Sequence, residues 1–173
     1  MILTVEDIDI AEITEQYQSL EQGIQWAVYN KGKQTSIQYK ETEDPWTSSA
    51  GTSRGKERTF NLLNPYFANS IFEDIINRYD LTRSRLMWIN PGSCYSMHTD
   101  ETQRIHIPIV TSEQSFIVFK EGLVEHMPVG HIYLVDTTRP HTVMNCSMSE
   151  ARLHFVGVTK FKSGEKATFQ KGS

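Results

Sequence analysis

The 173-residue sequence contains only two cysteines, Cys94 and Cys146, and two cysteines do not make a disulfide framework. They form no Cys-x-x-Cys pair, which argues against a zinc site built from thiolates. No apolar run approaches the roughly 18 residues that a membrane-spanning helix requires. The opening residues MILTVEDIDIAEI carry acids where a secretory signal has Lys or Arg before an apolar stretch. We therefore expect a cytoplasmic protein with no membrane partner.

An excess of positive charge is also missing. Lys and Arg number 17 and Asp and Glu number 21, so the formal net charge is −4 with neutral histidines. Such a chain has no overall electrostatic attraction to nucleic acid, and none is expected as a partner. What is present, 38% hydrophobic and 10% aromatic residues, is typical of a globular chain, and the length suits one compact domain.

The predicted single domain, residues 1–173, begins with a helical part, residues 1–82, that also contains a β-hairpin. Apolar residues at roughly helical spacing indicate one or two short helices within Val5–Leu20, and a second apolar stripe predicts a helix over Asn69–Tyr79. Residues 41–58 are rich in Ser, Thr, Gly and charge and show no periodicity. A loop of this length is either a functional lid or simply mobile, and both interpretations stay open.

From residue 83 to residue 160 the chain consists of short β-prone runs separated by tight turns. This pattern predicts an antiparallel barrel or a double-sheet jelly roll, and we expect it to carry the metal site discussed below. Because helices precede the strands, the predicted fold class is mainly β with packed helices. The polar segment 162–173 is predicted to be a mobile tail. The six β-prone runs are RLMWIN, RIHIPIV, SFIVFK, HIYLVD, HTVMNC and RLHFVGV.

Two of these runs carry cationic side chains on one face only. In RIHIPI, Arg104 and His106 alternate with isoleucines, and in RLHFV, Arg152 and His154 alternate with Leu and Phe. Because successive strand side chains point to opposite faces, we expect the apolar face under the helices and the cationic face in the jelly-roll interior. Charges there need an anionic partner, and the simplest partner is a bound acid.

The tripeptide His98–Thr99–Asp100 can present an imidazole and a carboxylate to one metal ion. The leading third ligand is His141, which opens a later imidazole-bearing run. Two histidines and one carboxylate form the facial triad of non-haem Fe(II) oxygenases, which leaves coordination positions open. Arg152 follows His141 by eleven residues, on the next predicted strand. It is well placed to pair bidentately with the far carboxylate of a dicarboxylate chelated at the iron.

The segments HTD, RIHIPIV, GHIYLVDTTRPHTVMN and RLHF together resemble the aspartyl/asparaginyl β-hydroxylase family of 2-oxoglutarate- and Fe(II)-dependent oxygenases. The resemblance covers about residues 87–158. It implies a double-stranded β-helix, which is a cupin-like jelly roll. It also implies a hydroxylase that uses O₂ to oxidise an unactivated C–H bond. The substrate would be a small molecule or peptide, either an amino acid or an Asp/Asn-type residue.

Carried over residue by residue, the resemblance assigns a role to each member of the site. It implies that His98, Asp100 and His141 hold Fe(II). It also implies that Arg152 binds the distal carboxylate of 2-oxoglutarate and that Arg104 and His106 line the cosubstrate pocket. A small hydroxyl residue of the family's cosubstrate site falls at Met87, which is a departure from the pattern. The first 80 residues show no such match, so the substrate is not identified.

Other interpretations of the same residues stay open. Arg104 and His106 could form an ion pair with an acid at the barrel mouth instead of lining the pocket. The protein could be a cupin-type metalloenzyme without 2-oxoglutarate, which would keep the metal ligands but have no need for Arg152. It could also be a non-catalytic jelly-roll module that grips an acidic ligand. The sequence does not determine the oligomeric state.

Overall fold

The computed structural model describes residues 1–51 and 56–169, which form two large antiparallel β-sheets, a third sheet of only two short strands, and helices on one side. No helix in these two ranges is both long and apolar enough to cross a membrane. The helices are α1 (Ile10–Glu21) and α2 (Ile71–Tyr79), with 3₁₀ turns at Glu57–Thr59 and Pro65–Phe67. The strands are β1 (Ile2–Asp7), β2 (Ala27–Tyr29), β3 (Gly32–Ser36), β4 (Gln38–Tyr39), β5 (Leu62–Leu63), β6 (Thr82–Ile89), β7 (Ser93–Cys94), β8 (Arg104–Val110), β9 (Ser115–Phe119), β10 (Val124–Glu125), β11 (His131–Val135), β12 (His141–Asn145) and β13 (Arg152–Val158).

The chain passes back and forth between the two sheets from β6 onward. The larger sheet has the strand order β1-β11-β8-β13-β6-β3-β2, and the smaller sheet has the order β10-β9-β12-β7. Strands β6, β8, β11 and β13 therefore lie in the larger sheet, while the strands between them along the chain lie in the smaller one. This is a double-stranded β-helix, or jelly roll, which is one of the two architectures that the strand pattern predicted and the one that the resemblance implied, so the fold class is confirmed.

All six predicted β-prone runs are strands, but the N-terminal prediction was partly wrong. Val5 lies in β1, which pairs with β11 at the edge of the larger sheet, and not in a helix. Helix α1 begins at Ile10 because the Asp9 side chain caps it, accepting hydrogen bonds from the amides of Ala11 (2.8 Å) and Glu12. The residues before this cap are extended because they pair with β11, a strand that is distant in sequence.

The N-terminal part is integrated into the jelly roll, because β1, β2 and β3 all belong to the larger sheet. In the loop predicted over 41–58, Trp46 packs against Tyr66 and Phe67. Residues 52–55 of that loop lie outside the described residues, and a role as a lid stays a prediction. In the segment predicted to be a tail, the ring of Phe169 packs edge-on against Tyr79 and Phe161. Residues 170–173 lie outside the described part of the chain.

The apolar face of the larger sheet is covered by the helices, as the alternating patterns of β8 and β13 predicted. The isoleucines of β8 and Leu153 and Phe155 of β13 are all buried in the main hydrophobic cluster. The ring of Phe72 from α2 stacks on Phe155, with centroids 6.0 Å apart. With one face of β8 and β13 filled in this way, their cationic side chains can only point into the space between the two sheets.

We predict that Leu153→Ala lowers the free energy of unfolding by about 2–5 kcal/mol, because it leaves a cavity in this cluster. Urea denaturation followed by circular dichroism measures the loss. Leu123→Ala is the matched control, since Leu123 is exposed and Leu153 is completely buried. Equal stabilities of the two variants would contradict the placement of this sheet face.

Candidate functional site

Backbone pairing brings His98 and His141 together. The amide of His98 donates to the carbonyl of His141 (2.9 Å) and the amide of His141 donates to the carbonyl of His98 (2.8 Å), which forms an isolated antiparallel bridge. Their ring centroids are consequently 4.4 Å apart. This bridge joins the segment after β7 to the start of β12, two parts of the chain that are far apart in sequence.

Both imidazoles are oriented by backbone carbonyls. The Nδ1 atom of His98 lies 2.8 Å from the carbonyl oxygen of Ser96, and that of His141 lies 2.9 Å from the carbonyl oxygen of Arg139. A carbonyl can only accept, so each Nδ1 carries the proton. Burial lowers the pKa of His141, which favours the neutral ring. With the proton on Nδ1, the Nε2 atom of each imidazole is the one that can bind a metal ion.

Asp100 completes the cluster. Its amide donates to the carbonyl of Thr137 (2.9 Å), which fixes the backbone beside His141. One carboxylate oxygen, Oδ1, accepts from Arg104 Nη2 at 2.6 Å, and Oδ2 lies 3.8 Å from His141 Nε2. One ligand atom from each of His98, Asp100 and His141 lies within 4.8 Å of the other two. The three predicted ligands therefore converge, and their donor set suits Fe(II) with open coordination positions.

The cluster lies at a cavity of about 950 Å³ between the two sheets. The cationic faces of β8 and β13 line this cavity, as predicted from their alternation. A volume of this size can hold a cosubstrate and a small substrate together. The lining residues on these two strands with ionisable side chains are Arg104, His106, Arg152 and His154.

Arg152 is buried, with 4% of its surface exposed, and it forms no ion pair with any described residue. Among the described residues its guanidinium has polar contacts with the ring of His154 alone, with Nε 2.9 Å from Nε2 and Nη2 2.8 Å from Nδ1. A neutral imidazole has one acceptor nitrogen, so at most one of these contacts is a hydrogen bond. Burial lowers the pKa of Arg152 to about 9, which reflects the cost of a buried charge without a counter-ion.

His106 is a second group whose hydrogen-bonding capacity is unused. Both ring nitrogens are buried, and neither has a hydrogen-bond partner among the described residues. Burial, together with the charge of Arg152 and Arg104, lowers the pKa of His106 well below its usual value, so the ring is neutral. Buried polar groups in folded proteins are almost always paired. The unpaired ring of His106 faces the cavity, which indicates that a polar ligand binds there.

Arg104 lines the cavity, and it also forms the ion pairs that were the alternative interpretation. Its Nη2 lies 2.6 Å from Asp100 Oδ1 and 2.8 Å from Glu57 Oε1. Two carboxylates therefore already balance its charge. In the structure Arg104 orients Asp100 and is less available than Arg152 for an added anion.

Glu57, Arg83 and Arg85 are among the cavity residues that sequence reasoning missed. Arg83 and Arg85 lie on β6 and line the cavity, and the alternation in TRSRLMW is a signal that could have found them. Glu57 lies in the loop without periodicity, so no pattern marked it. Its Oε1 accepts from Arg83 Nη1 at 2.6 Å, and these contacts help hold Arg83 at a left-handed φ of 51°.

The fold and the donor set are those of an oxygenase that uses Fe(II) and 2-oxoglutarate. The chain belongs to the aspartyl/asparaginyl β-hydroxylase family, because the sequence profile of that family matches residues 8–158. None of the curated proteins compared with the chain matches it.

Solved structures share the fold at low sequence identity. An oxidoreductase of the 2OG-Fe(II) oxygenase family from Burkholderia pseudomallei is 15% identical, with a TM-score of 0.57 over 91% of this chain and 82% of that one. HygX from Streptomyces hygroscopicus, solved with nickel and 2-oxoglutarate bound, is 10% identical, with a TM-score of 0.56 over 92% of this chain and 83% of that one. A prolyl-4-hydroxylase from Pseudomonas putida is 10% identical, with a TM-score of 0.50 over 94% and 92%. These similarities establish the jelly-roll fold.

We predict that Glu57→Gln lowers the free energy of unfolding at neutral pH by about 3 kcal/mol, because it leaves Arg83 with no acid. Burial raises the pKa of Glu57, but the neighbouring Arg104 and Arg83 more than offset this, so the net shift is downward. A lowered pKa stabilises the folded state above the unfolded-state value of about 4.3, and this stability is lost as the pH falls through the lowered value.

The difference between wild type and Glu57→Gln should therefore shrink on acidification, which urea melts at a series of pH values measure. Glu15→Gln is the matched control, since Glu15 is exposed on α1. A wild-type-like Glu57→Gln at neutral pH would show that this ion-pair cluster contributes nothing to stability.

Proposed function

We propose that the protein hydroxylates an unactivated C–H bond of an amino acid, or of an Asp/Asn-type residue in a peptide, and that 2-oxoglutarate and O₂ are its cosubstrates. The observation that carries this proposal is the buried guanidinium of Arg152. It has no acid partner among the described residues, yet it shares one cavity with the His98–Asp100–His141 cluster. A cation buried without an anion is costly, so the cavity favours an acidic ligand.

In this proposal His98, Asp100 and His141 hold the iron. The Nε2 atoms of the two histidines support this role, since their Nδ1 protons are already bound to carbonyls. Arg104 supports it by occupying Asp100 Oδ1, which leaves Oδ2 available as a ligand. Bound Fe(II) would supply the open coordination positions and the redox chemistry that C–H oxidation requires.

Arg152 and His106 bind and orient 2-oxoglutarate in this proposal. The guanidinium of Arg152 can pair bidentately with the distal carboxylate, and a paired carboxylate would compensate its burial. The ring of His106 faces the same cavity with both nitrogens unpaired, and it can donate to an oxygen of the cosubstrate. Because both side chains are buried, they also exclude bulk water from the reacting groups.

The alternatives make different use of the same residues. A cupin-type enzyme without 2-oxoglutarate would gain nothing from the unpaired cation at Arg152. A non-catalytic module that binds an acid would gain nothing from the convergence of His98, Asp100 and His141. Succinate formation from 2-oxoglutarate with and without Fe(II) tests the first alternative. The metal content of anaerobically purified protein tests the second.

We predict that His98→Ala removes stoichiometric Fe(II) binding and abolishes succinate formation, because it deletes one of three ligands. Isothermal titration with Mn(II) as a redox-stable probe measures the binding separately from turnover. His131→Ala is the matched control, since His131 is a partly exposed histidine that contacts Asp7 and is not among the residues that line the cavity. Undiminished metal binding by His98→Ala would refute the assignment of His98 as a ligand.

We predict that Arg152→Gln raises the 2-oxoglutarate concentration for half-maximal binding by about 10- to 100-fold, the effect expected for losing a charge-assisted hydrogen bond. Metal binding should be retained, because the polar contacts of Arg152 are with His154 and not with His98, Asp100 or His141. The visible charge-transfer band of the anaerobic Fe(II)–2-oxoglutarate complex reports this binding. Arg78→Gln, at an exposed arginine paired with Glu6, is the matched control. If both variants reached half-maximal binding at the same 2-oxoglutarate concentration, Arg152 would not be part of the cosubstrate site.

A further inference from the structure

A second buried arginine in the cavity also lacks an acid. Arg85 on β6 lines the cavity and has 6% of its surface exposed. Its Nη1 donates to the carbonyl of Ser49 (2.9 Å) and its Nε lies 3.2 Å from the sulfur of Met87. Neither partner carries a charge, and within the described residues Arg85 forms no ion pair. Its Nη2 has no hydrogen-bond partner in the same part of the chain.

The charges around Arg85 do not balance. Only two acids, Glu57 and Asp100, form ion pairs in this group of three arginines, which are Arg83, Arg85 and Arg104. Glu57 Oε1 accepts from Arg83 and Arg104, and Asp100 Oδ1 accepts from Arg104. Glu101, the third acid of the cavity lining, forms an ion pair with none of these arginines within the described residues, so Arg85 is left without an acid partner. Burial, followed by the charges of Arg83 and Arg104, lowers the pKa of Arg85 well below its usual value, which is the electrostatic sign of a missing anion.

Arg85 and Arg152 have different surroundings in the cavity. Arg85 pairs with Val156 across the sheet, and Val156 follows Arg152 by four residues on β13. At about 3.3 Å per residue, their backbone positions are separated by about 13 Å along the strand. The charged groups that act on Arg85 are Arg83, Arg104, Glu57 and Asp100, and none of these four is among the groups that act on Arg152. Each of the two arginines therefore offers its own place for an anion.

We propose that Arg85 binds a carboxylate of the substrate and so selects an acidic substrate. This inference rests on the proposed function, because it takes the cavity to be the site of hydroxylation. The carboxylate could be the α-carboxylate of a free amino acid or the side chain of an aspartyl residue in a peptide. Both place an anion beside Arg85, on the Asp100 side of the cavity. An asparaginyl side chain carries no charge and does not meet this requirement.

The carbonyl of Ser49 gives Arg85 a structural contact as well, and the test has to separate the two roles. A hydrogen bond to a carbonyl needs a donor but no positive charge, so glutamine at position 85 could keep it. Recognition of a carboxylate needs the charge. The separating readout is the discrimination between an acid and its carboxamide, which a purely structural role of Arg85 would leave unchanged.

The experiment uses the full chain with Fe(II) and 2-oxoglutarate, and succinate release is followed with two probe sets. One set is the free amino acids with their α-carboxamides, and the other is N-acetylated Asp peptides with the matching Asn peptides. Wild type should prefer the acid by at least about tenfold in kcat/KM in one set, which identifies the source of the carboxylate. Arg85→Gln should remove most of this preference through a raised KM, and Arg85→Lys should keep most of it. Arg58→Gln, at an exposed arginine paired with Asp80, is the matched control.

Anaerobic titration adds a measurement that needs no turnover. The charge-transfer band of the Fe(II)–2-oxoglutarate complex should form in wild type, and the acidic probes should shift it where their carboxamides do not. Absence of the band itself would overturn the proposed function. A normal band that no acid shifts, or an Arg85→Gln variant that still discriminates acid from carboxamide, would overturn the role of Arg85 alone. Wild type supplies the acid-to-carboxamide comparison even if Arg85→Gln does not fold.

Discussion

The inner face of the larger sheet buries more positive charge than the protein's own acids neutralise, and the site depends on this imbalance. Arg152 and Arg85 each lie in the cavity without a carboxylate partner among the described residues. Burial of both guanidiniums removes them from water, and this desolvation lowers the stability of the folded state. Hydrophobic packing on the opposite face, where β8 and β13 meet the helices, is the term large enough to offset it. The free protein is thereby preorganised to receive anions.

The two acids that do pair with arginines in the cavity, Asp100 and Glu57, belong to the metal site and to the loop after β4. Asp100 is held by Arg104, so its carboxylate is already oriented toward His141 before any ion arrives. Glu57 is held by the same arginine and by Arg83, and it ties the loop that follows β4 to the floor of the cavity. Arg104 thus joins the metal ligands to the loop. A shift of the loop at Glu57 would therefore alter the charge that Asp100 experiences.

In our proposal the two unpaired arginines bind two different ligands. The backbone of Arg152 lies toward one end of β13 and the backbone of Arg85 lies level with Val156, two residues from the point where β13 pairs with Arg104. The cosubstrate would pair with the first arginine and the substrate with the second, beside the same metal ligands. This arrangement suits a reaction in which both ligands must be close to one ion and not to each other.

Short-range patterns in the sequence were sufficient for the strands and for much of the site. Alternation in RIHIPIV and RLHFV placed the cations of β8 and β13 on the inner face, because a strand's side-chain period depends only on its backbone. The His-x-Asp spacing and the position of His141 at the start of a predicted strand supplied the choice of His98, Asp100 and His141, the family resemblance implied the same three residues, and these three do converge. The same alternation in TRSRLMW could have predicted that Arg83 and Arg85 lie on the inner face of β6.

Other features were decided by contacts between distant parts of the chain. Val5 is in a strand because β11 pairs with it, and helical spacing in its neighbours carried no information about that partner. Glu57 enters the cavity because Arg83 and Arg104 hold it there, although its own segment has no periodicity. Whether a buried arginine is neutralised depends on which acids the fold brings within reach. The sequence therefore determined the type and the face of each side chain, and only the tertiary structure decided that, among the described residues, Arg104 has acid partners while Arg85 and Arg152 have none.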